Sequence, residues 1–387
     1  MYNRILDVHS LSLKKSFFLF GPRSTGKTTL LRSLFSEDAI INLLVSSTYI
    51  PLAASPSRLA DMIRERSKKN QVIVIDEIQK LPALLDEIHN LIETTNIHFI
   101  LTGSSARKLK RSGVNLLAGR AWQANLFPLV YPEITDFNLD RYLLYGGLPQ
   151  VYASDYPDEE LDAYVRTYLQ EEIQAEALVQ NLPQFSRFLK TAAVSNTEQI
   201  NFSNIASDSG IPASTVRSYF DILSDTFTGF LLESWQASEK RKAVATAKFY
   251  FFDTGVANFL CGRTSLEPSS AEYGKAFEHF IALELRAWIS YRRNRLELRY
   301  WRTKSGTEVD FLVGEEIAIE VKAAHTISDK HLKGLRALAE ERIIATYILV
   351  SFDTENRETE DGIRCLHWST FLEELWSGAL RDEKETH

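Results

Sequence analysis

The chain has little cysteine, no surplus of positive charge and no long apolar run. Its two cysteines, Cys261 and Cys365, form no metal-type pair and no disulfide framework. No apolar run approaches the length of a membrane span, and Met1 to Ser10 lacks the apolar core of a signal peptide. These absences lead to the expectation of a soluble cytoplasmic protein with no membrane partner. Lys and Arg number 44 against 51 Asp and Glu, a formal net charge of −7 with a pI near 5.7. Such a balance argues against a protein coated in basic charge, although it leaves room for local basic patches. The remaining composition, 44% hydrophobic and 25% charged, is that of an ordinary globular protein. A chain of 387 residues is long enough for two or three domains.

The most informative stretch is Gly21-Pro22-Arg23-Ser24-Thr25-Gly26-Lys27-Thr28-Thr29, which fits the phosphate-cradling pattern G-x-x-x-x-G-K-[ST] at every fixed position. The apolar run Ser16 to Phe20 before it reads as a buried strand, and Leu30, Leu31 and Leu34 after it recur at helical spacing. A strand, a Gly-containing turn and a helix start aim backbone N–H groups at one spot, where the helix dipole also favours an anion. Lys27 would neutralise the β- and γ-phosphates of ATP, and Thr28 would ligate Mg²⁺.

A companion motif follows. Val72-Ile73-Val74-Ile75 suits a strand buried on both faces of a parallel sheet, and Asp76-Glu77 lies at its C-terminal end, where such sheets bind ligands. Asp76 would hold Mg²⁺, mainly through its water shell. Glu77 would orient and deprotonate the attacking water. Further strands are expected at Ala39 to Leu44, Ile97 to Leu101 and Trp122 to Phe127, with a polar helix from Ser57 to Lys69. In ATPases that place a catalytic Glu beside the Mg²⁺ Asp, a polar residue at the end of such a strand senses the γ-phosphate. Thr102 is the first candidate and Ser104 the second. Arg120, in Leu117-Ala118-Gly119-Arg120, reads either as an arginine finger reaching a neighbouring subunit or as a surface residue closing a Gly turn.

The stretches Gly21 to Thr28, Asp76-Glu77-Ile78-Gln79, Leu101 to Ser104, Leu117 to Arg120 and Tyr145-Gly146-Gly147-Leu148-Pro149 resemble a prokaryotic group of AAA-type ATPases. In that group a C-terminal domain of unknown function follows the ATPase. The resemblance covers nearly the whole chain. It implies an AAA-type sheet with the phosphate-loop strand central, and homo-oligomer formation.

The first domain is expected over 1–145, the second over 146–262 and the third over 263–387. Gly146-Gly147 should end a helix, with Pro149 preventing its resumption. Asp155 to Asp162 reads as an acidic linker, and Asp162 to Val179 as a helix. Residues 198–235 read as a helix-turn-helix, with Gly210 ending the first helix and Val216, Tyr219, Phe220 and Leu223 facing inward from the second. Phe230 to Ser234 and Lys248 to Phe252 would pair as a β-wing. Their connection carries Lys240-Arg241-Lys242, candidate phosphate contacts in a winged helix docked on DNA. Against that, the second helix offers few outward cations, and Asp221 and Asp225 repel phosphate. Winged helices also serve as protein-packing modules.

The last part reads as an α-β-β-β-α-β series: a helix from Gly274 to Ser290, strands Leu296 to Trp301, Glu308 to Val313 and Ile317 to Val321, a helix His331 to Glu341 and a strand Ala345 to Val350. That is the order of restriction-endonuclease-like folds. Glu320 and Lys322, two apart on a strand, emerge on one face. Asp310, Glu320 and Lys322 resemble the core of the PD-(D/E)xK nuclease pattern, with Glu278 as an accessory ligand and Arg302 and Lys304 near the turn for steering a phosphate backbone. The resemblance implies a second Mg²⁺ or Mn²⁺ there. The same fold also serves as a docking domain without cleavage.

The leading expectation is an α/β protein: an N-terminal P-loop AAA-type parallel sheet with helices, a winged-helix-like middle and a restriction-endonuclease-like C-terminal domain. It would hydrolyse ATP and engage DNA, with metal-dependent cleavage as an added activity. The rival is a nucleotide-gated switch that binds protein, with an inert nuclease-like domain and no nucleic-acid role.

Overall fold

A computed structural model describes residues 2–67, 70–105, 109, 117, 119–171, 181–236 and 246–380. The N-terminal part is a five-stranded parallel sheet of β1 (Phe17–Phe20), β2 (Ile40–Asn42), β3 (Val72–Asp76), β4 (His98–Gly103) and β5 (Trp122–Asn125). The strand order is β2-β3-β4-β1-β5. The phosphate-loop strand is thus interior, between β4 and β5, but β4 holds the middle place expected for it.

Alternation along these strands feeds two cores. Phe18, Phe20, Ile73, Ile75, Phe99 and Leu101 meet one set of helices, while Phe17, Leu19, Val72, Val74 and Ile100 face the other side. Helices α1 (Val8–Lys14) and α2 (Lys27–Leu34) contribute Val8, Leu11 and Leu31 to the second core. Helices α3 (Ser46–Ala54), α4 (Arg58–Arg66) and α5 (Leu84–Thr94) cover the first, through Leu52, Leu59, Ile63, Leu84 and Ile88. Both faces are covered, so β1 and β3 are apolar without a polar side.

Helix α6 (Leu139–Tyr145) ends at Gly146, whose φ of 78° is a left-handed stop. Pro149 does not prevent a restart. It opens α7 (Pro149–Ala153), because the first helical turn needs no N–H from it and its fixed φ already suits a helix. The acidic linker is likewise a helix, α8 (Pro157–Ala163), with Asp158, Glu159 and Glu160 in its first turn, where the dipole favours them. It runs on with π-helical turns over Tyr164–Glu171; the remainder of the expected Asp162 to Val179 helix lies outside the described residues.

The middle continues with α9 (Leu182–Val194), α10 (Phe202–Ser209) and α11 (Ala213–Asp225), with Gly210 at φ 66° between the last two. Val216, Tyr219, Phe220 and Leu223 are buried among Phe185, Phe188 and Phe249. Strands β6 (Gly229–Leu232) and β7 (Lys248–Phe251) pair antiparallel, Gly229 opposite Phe251 and Leu232 opposite Lys248. After α12 (Thr254–Leu260) comes α13 (Ala271–Tyr291), the longest helix among the described residues, capped by the Ser270 hydroxyl on Tyr273 N.

The C-terminal sheet has the order β12-β13-β11-β10-β9-β8. Its strands are β8 (Leu298–Arg302), β9 (Glu308–Val313), β10 (Ile317–Lys322), β11 (Thr346–Ser351), β12 (Arg357–Glu358) and β13 (Ile363–His367). Strands β8, β9 and β10 are successively antiparallel, and β11 runs parallel to β10. Helix α13 covers one face and α14 (Asp329–Ala339) the other, through Leu332, Leu335 and Leu338. Past the expected α-β-β-β-α-β series, β12, β13 and α15 (Trp368–Ser377) extend the sheet and cap it.

Candidate active site

The loop from Gly21 to Lys27 bends sharply because its residues permit it. Gly21 has φ 155° and passes so close to β5 that a Cβ there would lie 2.2 Å from the Leu126 carbonyl oxygen. Gly26, at φ 90°, caps the start of α2. Ser24 also adopts a left-handed φ of 61°. The Thr25 hydroxyl donates to the Pro22 carbonyl at 2.9 Å, closing the turn from within. Lys27 is buried at the loop, its Nζ 2.7 Å from Gly21 O and 2.8 Å from Pro22 O. Thr29 faces outward on α2.

Opposite the loop, the end of β3 supplies the acidic pair. Thr28 Oγ1 donates to Asp76 Oδ2 at 2.9 Å, so the two expected Mg²⁺ holders touch. The donor set, a hydroxyl and a carboxylate joined across 48 residues of sequence, fits a hard cation that takes oxygen ligands. Thr102 Oγ1 donates to the other oxygen, Asp76 Oδ1, at 2.5 Å and accepts from Glu77 N at 2.9 Å. With its hydroxyl proton on Asp76, Thr102 positions both acidic residues. Glu77 turns off the strand at φ 65°, a left-handed angle a Glu rarely adopts. Its Oε2 accepts from Gln79 Nε2 at 2.5 Å and lies 4.0 Å from Arg23 Nη2. Gln79 Nε2 also reaches Ser104 Oγ at 3.2 Å, placing Ser104, the second sensor candidate, within the same buried network.

Arg120 stands elsewhere. It precedes β5 and pairs with Glu93 in the last turn of α5. That is the edge where the parallel strands begin, whereas the phosphate loop follows the end of β1. Within one chain the two lie at opposite ends of the sheet.

Two supporting residues escaped the motif reading. Gln79 sits inside the quoted Asp76-Glu77-Ile78-Gln79, yet its type alone did not reveal a clamp on Glu77. Arg4, far upstream, is buried behind the loop. It donates to Thr25 O at 2.7 Å and Phe127 O at 2.6 Å, and pairs with Glu133 at 2.9 Å. Nothing local marks a lone Arg near a terminus for such a role.

The C-terminal candidates do meet. Lys322 Nζ lies 2.5 Å from Glu320 Oε1 and 3.6 Å from Asp310 Oδ2, and Asp310 Oδ2 also accepts from Val321 N at 2.8 Å. Glu278 joins through a residue the sequence reading passed over. Lys248, on β7, places its Nζ 3.1 Å from Glu278 Oε1 and 2.5 Å from Glu308 Oε1. Tyr250 OH donates to the same Glu278 oxygen at 2.7 Å. Lys248 and Tyr250 share one face of β7, and a lysine opening an aromatic strand was the available signal. Arg302, a candidate for steering a phosphate backbone, pairs with Glu308 at 2.7 Å.

Burial pushes the Glu320 carboxyl up to about 8, with the Asp310 charge adding and Lys322 opposing. Burial also raises Glu278, against the pull of Lys248. Burial lowers both lysines, but the surrounding carboxylates more than offset it and hold them charged, Lys248 through Glu278 first and Lys322 through Asp310 first.

This arrangement does not fit a second divalent ion as it stands. Two ammonium groups already hold one oxygen each of Glu278, Glu308 and Glu320, and no group of three or more His, Cys, Asp or Glu suited to a metal occurs among the described residues.

The hairpin expected as a wing is docked on its own chain. Beyond β6, Trp235 N donates to Tyr300 O at 2.7 Å and Tyr300 N to Glu233 O at 3.1 Å, stitching it to the edge strand β8. Lys240, Arg241 and Lys242 lie outside the described residues.

A parallel sheet with this loop and this acidic pair is consistent with a P-loop AAA domain. Comparison with known proteins agrees: residues 13–135 match the family model described as an AAA domain. Residues 136–267 and 273–371 match two domains of unknown function, DUF8612 and DUF4143. Among curated relatives, an uncharacterized protein of Mycobacterium tuberculosis is 27% identical over 321 residues, covering 80% of this chain and 70% of that protein. One of Methanocaldococcus jannaschii is 24% identical over an alignment of 430 residues, covering 93% and 85%. One of Haemophilus influenzae is 23% identical over 295 residues, covering 68% and 72%. Among the described residues no helix is long and apolar enough to cross a membrane.

Proposed function

We propose that the chain binds ATP with Mg²⁺ between the Gly21–Thr28 loop and the Asp76–Glu77 strand end, and hydrolyses it. The observation that carries this is the Thr28–Asp76 contact at 2.9 Å beside a Glu77 held by Thr102 and Gln79. Lys27 and the loop N–H groups bind the phosphates. Thr28 and Asp76 would hold Mg²⁺, whose bound chemistry would be to draw charge from the phosphate oxygens. Glu77 takes a proton from water as its oxygen bonds to the γ-phosphorus, and the bond to the β-γ bridging oxygen breaks to release ADP. Thr102 and Gln79 keep that carboxylate aimed. If Arg120 is an arginine finger rather than a surface residue closing a Gly turn, its distance from the loop in its own chain would have it serve a neighbouring copy, and a homo-oligomer belongs to that reading.

Two variants test it. Lys27→Ala should abolish ATP binding. Glu77→Gln should keep affinity within a few-fold while turnover falls about 10²- to 10⁴-fold. Wild-type phosphate release from both variants would sink the reading.

A second reading, DNA engagement, is favoured by the order of α9, α10, α11 and the β6–β7 hairpin, a winged-helix order with Lys240-Arg241-Lys242 in the hairpin connection. Changing all three to Ala should weaken DNA binding and flatten its dependence on salt by up to about three phosphate contacts. Unchanged affinity at low salt removes this reading and leaves a nucleotide-gated protein switch. Cleavage at Asp310, Glu320 and Lys322 forms no part of either, because Lys322 is paired with Glu320 and Asp310 while Lys248 holds Glu278 and Glu308.

A further inference from the structure

Helix α11 ends on a residue its backbone does not favour. Phe227 N donates to Ser224 O at 3.1 Å and Thr228 N to Leu223 O at 2.9 Å, the pair of bonds that closes a helix on a left-handed residue. That residue is Phe227, at φ 60°. Glycine commonly fills such a place, and the preceding helix α10 does stop on Gly210 at φ 66°. A bulky side chain there is an outlier. Its neighbours hold it: the Thr226 hydroxyl donates to Ile222 O at 2.8 Å and lies 2.9 Å from the Thr228 hydroxyl, and both threonines are buried.

What the strained angle achieves is the placement of one ring. Phe227 stacks on Phe20 with ring centres 5.4 Å apart. Among the described residues it is the only contributor to the first core from beyond the nucleotide domain. Phe20 immediately precedes Gly21 of the phosphate loop. Its ring and the Gln79 amide converge on Gly103, where a Cβ would lie 3.3 Å from Phe20 Cε1 and 2.9 Å from Gln79 Oε1. That amide oxygen is buried and has no hydrogen-bond partner among the described residues, so packing rather than a donor sets it. The nitrogen of the same amide holds Glu77 Oε2 at 2.5 Å.

We propose that Phe227 is a positioning residue for hydrolysis, its ring keeping Phe20 and the Gln79 amide in place and thereby the aim of Glu77. The inference rests on the hydrolysis reading above. Deleting the ring opens space beside Phe20, which the surroundings fill only in part. Phe20 and then Gln79 can turn, and Glu77 loses a fixed donor. Lys27, Thr28 and Asp76 take no part in this series of contacts, so nucleotide affinity is spared. A turn of the middle region thus belongs to the hydrolytic machinery.

The test uses the full chain with Mg²⁺ and ATP, well below the Tm of every variant. Phe227→Gly removes the ring and suits the left-handed angle, so its Tm should stay near that of wild type. Its ATP affinity should remain within a few-fold while kcat falls between about 5- and 100-fold. Phe227→Tyr, which keeps a ring, should turn over at close to the wild-type rate. The fall should depend on Gln79: in a Gln79→Ala background, Phe227→Gly should cost little more. Phe227→Asn, also at ease with a left-handed angle, carries the same expectation if the glycine variant folds poorly. Unchanged kcat, a loss confined to affinity, or a full loss on top of Gln79→Ala overturns the proposal and leaves the hydrolysis reading standing. Wild-type protein with no Lys27-dependent phosphate release overturns both.

Discussion

Thr102 shows how much one hydroxyl can organise. It is fully buried, donates to Asp76 and accepts from Glu77 N–H, so it fixes the side chain of one acidic residue and the backbone of the next. The strained φ of Glu77 persists because that hydrogen bond and the Gln79 clamp over-determine it. Thr102→Val keeps the shape and removes the hydroxyl. It leaves a buried carboxylate oxygen and a buried N–H each short of a partner, at a cost of about 1–3 kcal/mol apiece. On the proposed reading phosphate contacts come from the loop and Lys27, so ATP affinity should change little while turnover drops at least about tenfold through misaimed Glu77. Isothermal binding and steady-state kinetics on the variant check this. A loss confined to affinity would mean that the hydroxyl meets phosphate directly.

At the scale of elements, what the sequence disclosed depended on how local the cause was. Strands β1 and β3 were legible because four consecutive apolar residues bounded by a motif have one buried solution. Glu320 and Lys322 could be placed on one face by strand period, and Asp310 joined them only through the nuclease resemblance. The Gly146–Gly147 pair was visible as a helix stop, but its main reason is tertiary. A Cβ at Gly146 would lie 2.0 Å from Asp253 Oδ1, and Asp253 both caps α12 on Val256 N and accepts from Gly147 N at 2.8 Å. Likewise Gly255 passes so close that a Cβ would sit 2.0 Å from Tyr145 O. The pair lets α6 and α12 cross, a contact between segments more than 100 residues apart that no window on the chain contains. The docking of β7 failed to show for the same reason. Its alternation gave the strand, but the partner of Lys248 is set by where α13 and β9 arrive.

Over the whole molecule, α13 is the joint. Its Tyr291 hydroxyl accepts from Phe127 N at 3.1 Å and from Arg4 at 3.4 Å, and Arg4 in turn holds the phosphate loop through Thr25 O. Two turns earlier, Glu284 is wholly buried and accepts from Tyr131 N at 2.8 Å and from Trp376 Nε1 at 2.7 Å, linking the end of the nucleotide domain to α15. Burial pushes the Glu284 carboxyl up to about 8, with those two donors opposing and the Glu133 charge adding. The folded chain therefore keeps a proton there that the unfolded chain loses near the ordinary value of 4.5. Stability from this group is fully present below that value and declines as pH rises through the window to about 8, by at most about 1.4 kcal/mol per pH unit. Glu284→Gln cannot ionise, so it should lack that slope. Urea unfolding of both proteins at pH 5, 6, 7 and 8 checks the sign: the advantage of wild type over Glu284→Gln should be largest at pH 5 and shrink steadily toward pH 8. A difference that stays constant or widens with pH would mean the carboxyl is ionised in the fold. If it shrinks, amide exchange around Tyr131 should quicken above pH 8 in wild type and not in the variant beyond the intrinsic rise. The same proton would then govern how firmly the nucleotide domain grips the C-terminal half.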